Sequence, residues 1–83
     1  MYKNKAPDGR NNICGKNITK YRKNLVPPPS QRAFAEILQR AGIDVDKNAV
    51  QRIESGSRFV TDIELKIIAQ VLEISLDDLL AID

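Results

Sequence analysis

The sequence has no histidine, one cysteine and few aromatic residues, 5% of the chain. Without histidine neither a Ser-His-Asp nor a Cys-His arrangement can be assembled, and one cysteine cannot build a zinc site. No glycine-rich loop that could cradle phosphates appears, nor any cluster spaced for metal ligands, so the expectation is a protein that is not an enzyme. It would have no catalytic residue, no metal and no cofactor. Cys14 has no partner for an internal disulfide, which fits a reducing compartment; packing is its expected role, ahead of redox sensing. No apolar run approaches the roughly 20 residues a bilayer requires, and the polar N-terminus is unlike a signal peptide. The expectation is therefore a cytoplasmic protein with no membrane partner.

What is present favours helices. The chain has 83 residues, room for one small domain with a single core. With 42% hydrophobic residues and so few aromatics, that core falls to Leu, Ile, Val and Ala at helical spacings, while the alternation and turn dipeptides of strands are missing. The fold class read from the residues is all-α. Charge is graded along the chain. Residues 1–30 hold seven Lys or Arg against one Asp (net +6), residues 31–60 five basic against four acidic (+1), and residues 61–83 one against six (−5). Such polarity suits a molecule with one end toward a polyanion, although a basic tail joined to an acidic solvated helix would give the same gradient.

Residues 1–12 carry Lys3, Lys5 and Arg10 with almost no apolar residues, and are read as a mobile arm. An arm of this kind can lie along phosphates or enter a minor groove, or be no more than a disordered terminus. From residue 13 the pattern changes, and residues 13–83 are read as the folded domain. Ile13, Ile18, Tyr21 and Leu25 fit a loosely helical spacing through a basic segment, 16–24, read as a first helix, and Pro27, Pro28 and Pro29 stop it. Ser30 is placed to cap a second helix over 31–41, with Phe34, Ala35, Leu38 and Ala41 on one stripe and Gly42 as its end. Thr61 and Glu64 have the spacing of a capping box at the start of a fourth helix, 62–73. There Leu65, Ile68, Ala69 and Leu72 form one stripe. Ile63, Ile67 and Val71 form a second, to be covered either by a protein partner or within the domain. Ser75 opens a last short helix over 76–81, in which Leu76, Leu79, Leu80 and Ile82 are expected to close the core.

The third helix, about 46–55, carries the functional signal. Asp46 can cap its first turn and Gly56 can end it in a left-handed conformation. Val50 and Ile53 are its two large apolar residues, three apart, so they can anchor one side only. At 100° per residue Asn48, Gln51, Arg52 and Ser55 point broadly the other way, with Lys47 beside them. Asn, Gln, Lys and Arg are the side chains that reach base edges in a major groove. A surface helix tacked to a core by two residues would look similar.

Taken in order, Ile18-x-x-Tyr21-Arg22, Ser30-Gln31-x-x-Phe34-Ala35, Val50-x-Arg52-Ile53-Glu54-x-Gly56 and Leu65-x-x-Ile68-Ala69-x-x-Leu72-x-Ile74-x-x-x-x-Leu79 resemble the phage-repressor (Cro-like, xenobiotic-response-element) helix-turn-helix family, over residues 13–80. The resemblance implies a five-helix lambda-repressor-like DNA-binding domain behind a flexible basic N-terminal arm. It implies that Gln31, Ser57 and Arg58 hold backbone phosphates, that Lys47, Asn48, Gln51 and Arg52 face base edges or flanking phosphates, and that Arg22 and Glu54 form an internal salt bridge. Two departures stand out. The stretch between Ala35 and Val50 is several residues longer than the family's usual helix and turn, which predicts a longer second helix and a longer connection. The triple proline stiffens the first link.

The function expected is sequence-specific binding of double-stranded DNA by a bacterial or phage transcriptional regulator, acting as a homodimer on a two-fold site. The alternative is a protein-interaction module of the same fold, an antitoxin-like or anti-repressor partner that binds protein through Ile63, Ile67 and Val71.

Overall fold

The computed structural model describes residues 5–82, and among these every regular element is an α-helix. The five are α1 (Gly15–Lys23), α2 (Gln31–Arg40), α3 (Lys47–Ser55), α4 (Asp62–Leu72) and α5 (Leu76–Leu80). Four begin at a short polar side chain that accepts from a free first-turn N–H, which is why they start where they do. Ser30 Oγ takes the Ala33 N–H at 3.1 Å, Asp46 Oδ1 that of Ala49 at 2.7 Å and Ser75 Oγ that of Asp78 at 3.0 Å. Thr61 and Glu64 close a reciprocal box, with Glu64 N–H on Thr61 Oγ1 at 3.2 Å and Thr61 N–H on Glu64 Oε1 at 2.9 Å. Helix α1 differs: Cys14 supplies no side-chain cap, and Asn12 Oδ1 reaches over to accept from Gly15 N–H at 2.8 Å.

The helices close on a core of Cys14, Ile18, Phe34, Ala35, Leu38, Ala49, Val50, Ile53, Ile68, Ala69, Leu72 and Leu79, joined by Ile43 and Val45 from the link between α2 and α3. That link spans residues 41–46, fixed where Gln39 Nε2 donates to the Val45 carbonyl at 2.7 Å. Because two of its residues are buried, it is a packed part of the domain and not a loose loop. Helix α2 ends at Arg40, close to the expected end, and its connection to α3 is long as expected.

Several expectations change. Ile13 is exposed and Cys14 takes the buried place beside Ile18, because residue 13 precedes α1, which itself lies within one residue of the expected 16–24. In α5 only Leu79 is buried and Leu80 packs partly, while Leu76 and Ile82 lie outside, because five residues make too short a helix to turn all four inward. Of the second stripe on α4, Ile67 and Val71 pack against the core and Ile63 stands 71% exposed. Residues 5–12 differ most from a free arm. They turn back through Gly9 and run against the end of α3, held by hydrogen bonds, which polar side chains can supply without an apolar face. Lys3, the first basic residue of the expected arm, lies outside the described residues.

Candidate nucleic-acid interface

Helix α3 is anchored along one side by Ala49, Val50 and Ile53, of which Val50 is 1% and Ile53 2% exposed. Helical geometry then turns Lys47, Asn48, Gln51 and Arg52 outward, and all four are exposed. Among the described residues none of these four side chains is held by a hydrogen bond or an ion pair. The two carboxylates of this segment are both occupied: Asp46 caps the first turn and Glu54 is buried. The outward face therefore offers two cations and two amides with no competing acid on the helix itself. Beside its first turn, a groove between α2 and α3 is lined by Arg32, Glu36, Gln39, Lys47 and Asn48.

Glu54 holds three helices together. Arg22 of α1 grips it in a bidentate pair, Nε to Oε2 at 2.8 Å and Nη2 to Oε1 at 3.0 Å, while its third nitrogen, Nη1, donates to the Pro29 carbonyl at 2.9 Å. Gln31 of α2 adds Nε2 to Oε1 at 2.9 Å. Burial opposes the charge on Glu54, yet the bonds from Arg22 and Gln31, with Thr19 alongside, outweigh it and hold the carboxyl below the ordinary glutamate range. Desolvation offsets much of the attraction in such a pair, so its chief effect is to fix the roll of α3 relative to α1 and α2.

Lys47, Asn48, Gln51 and Arg52 thus form one surface, with Ser57 exposed just beyond it. Ser57 Oγ lies 3.3 Å from both Ser55 Oγ and the Arg52 carbonyl. The other two residues expected at phosphates are engaged inside the protein. Gln31 is half-buried and spends an amide hydrogen on Glu54, because the N-terminus of α2 is drawn against α3. Arg58 clamps Glu64 with Nη1 at 3.0 Å and Nη2 at 2.9 Å, and Nη1 also meets the Phe59 carbonyl at 3.0 Å. Its bond to Glu64 raises the Arg58 pKa and lowers that of Glu64, which ties the loop after α3 to the capping box of α4. Cys14 is sealed beneath α1, and burial pushes its thiol up to about 11.

Residues 10–12 escape the sequence reading. The side chains of Arg10, Asn11 and Asn12 donate to carbonyls at and beyond the end of α3. Three consecutive polar residues shortly before a helix are the only local signal, and it does not name their distant partners. Gly15 also belongs here: a Cβ on it would collide with the Ile53 carbonyl oxygen, so only glycine lets α1 approach α3 this closely.

No known protein family, curated protein or solved structure matches the chain. Among the described residues no group of three or more His, Cys, Asp or Glu could hold a metal ion, and no helix is long and apolar enough to cross a membrane.

Proposed function

We propose that this protein binds double-stranded DNA sequence-specifically, as a helix-turn-helix transcriptional regulator of bacterial or phage type with a lambda-repressor-like fold. Helix α2, the packed link 41–46 and α3 are the helix-turn-helix, and α3 enters the major groove. The observation that carries this reading is the outward face of α3, where Lys47, Asn48, Gln51 and Arg52 are exposed and free of internal partners opposite the buried Val50 and Ile53. Arg and Lys match guanine, and Asn and Gln match adenine, through bidentate bonds at base edges. The resemblance over residues 13–80 and the bracing of Glu54 by Arg22 and Gln31 support the same conclusion. One short helix reads few base pairs, so the protein acts as a homodimer with its two recognition helices about 34 Å apart.

The experiment is selection of bound duplexes from a random pool, followed by mobility shifts with the selected operator. Arg52→Ala is expected to weaken operator binding by about tenfold to a hundredfold, the equivalent of roughly 1–3 kcal/mol for a lost base contact. Undiminished binding by this variant would remove α3 as the reading element. Affinity should also fall steeply with salt as phosphate counterions are released.

A second reading, an interaction module that binds protein, is favoured by apolar side chains left in solvent, among them Ile63 at 71% and Phe59 at 60% exposure. Binding to random duplexes that is absent at low salt as well as at moderate salt would select it. Antitoxins combine the two roles.

A further inference from the structure

The geometry points to residues 10–12 as a clasp that positions α3 and its exit loop for reading DNA. The inference rests on the DNA-binding reading above. Arg10 Nη2 donates to the Glu54 carbonyl at 2.6 Å, and Asn11 N–H and Nδ2 donate to the carbonyls of Gly56 at 2.8 Å and Ser57 at 2.9 Å. Asn12 Nδ2 bridges the Ile53 carbonyl at 3.1 Å and the Arg58 carbonyl at 2.7 Å, while its Oδ1 caps Gly15. Five acceptors across the end of α3 and its exit are thereby met by three consecutive residues more than forty positions away.

These contacts do what the core cannot. The middle of α3 is seated by Val50 and Ile53 and its roll is set by Glu54, but residues 56–58 hold no apolar side chain, and the Arg58–Glu64 pair ties only the far end of the exit, to α4. Gly56 adopts φ +88°, and the Arg10 side chain lies flat against it: a Cβ there would stand 2.6 Å from Arg10 Cζ and Nε. Glycine therefore serves the helix stop and the seat of the clasp together. The Arg10 guanidinium also sits at the negative end of the α3 dipole. Asn11 Oδ1, in contrast, is buried with no partner, a desolvation cost that offsets part of what the two bonds donated by Asn11 contribute. Bidentate base contacts require placement to a fraction of an ångström, and a helix held at its middle but loose at its end loses that before it loses its fold. Residues 10–12 are accordingly positioning residues, which act through α3 without touching a base.

Asn12→Ser is the discriminating variant. Serine still caps Gly15 and leaves the charge unchanged, but is too short to bridge Ile53 and Arg58. With the full chain at a temperature where circular dichroism shows both proteins folded, it should bind the selected operator at least tenfold more weakly. Its affinity for random duplex and its salt slope should stay within twofold of the parent, and the amides of residues 56–58 should exchange faster. A merely structural role would lower the melting temperature and leave the ratio of specific to non-specific binding unmoved. Operator affinity unchanged within twofold overturns the clasp while leaving the DNA reading intact, and so does an equal fall in specific and random binding. If the parent protein selects no sequence at all, both fall. Should Asn12→Ser fail to fold, Arg10→Lys, which keeps the charge but not the flat guanidinium over Gly56, is read by the same ratio with the same outcomes.

Discussion

At the scale of single residues, the pair Arg22 and Glu54 shows why a buried charge is dangerous alone and cheap in company. Removing either partner, by Arg22→Met or Glu54→Leu, leaves the other ion buried and should cost about 3–5 kcal/mol of folding stability. The double variant removes both charges and should recover part of that loss, the remainder being the Pro29 carbonyl and the Gln31 amide, which lose their partners too. Urea denaturation of the three variants against the parent provides the comparison. Neither side chain marks itself as half of a pair by spacing, since 32 positions separate them; only resemblance suggested the match. Gln31 and Arg58 illustrate the converse. Their chemistry suits a phosphate, yet nothing local shows that Glu54 and Glu64 lie nearer to hand.

At the scale of elements, helix ends were the most legible feature. Ser30, Asp46, Thr61 and Ser75 were each expected to cap, and each does, because a cap involves only the three residues that follow it. Thr61→Ala opens the box on α4 and should cost about 1 kcal/mol, lowering the thermal midpoint by roughly 4–8 °C for a domain of this size. The other end of α4 offers the opposite change. Glu73 stops the helix at φ 58°, a left-handed conformation that strains a residue with a Cβ, so Glu73→Gly should raise stability by up to about 1 kcal/mol in a calorimetric scan. Helix α1 spans Gly15–Lys23 against the expected 16–24, yet what caps and seats it was not legible. Its cap is Asn12, two residues before the helix's own N-cap position, and its partner surface is the backbone of α3, which periodicity does not report.

For the whole molecule, charge and titration follow from a few carboxylates. Glu54 and Glu64 are held below the ordinary value of 4.5 in the folded state. Their contribution to stability is therefore complete above that value and is lost as pH falls through the lowered folded pKa values. The urea midpoint should be flat from about pH 6 to 8, since the chain has no histidine, and should begin to drop as the pH falls below 4.5. A midpoint that rose on acidification would contradict the inward placement of both carboxylates. The charge gradient, net +6 over residues 1–30 and −5 over residues 61–83, acts over longer distances and should be damped by salt.

The sequence by itself determined the helices, their caps and the two unlike faces of α3, because each depends on interactions within about four residues, well inside the reach of a periodicity. Tertiary structure alone decided that residues 10–12 fold back onto the end of α3, that Gln31 and Arg58 turn to carboxylates, and that Cys14 is buried while Ile13 is not. Those outcomes join side chains to backbone and carboxyl groups on other elements, some more than forty positions away. They exist only once the core of Phe34, Leu38, Val50, Ile53 and Ile68 has brought the helices together.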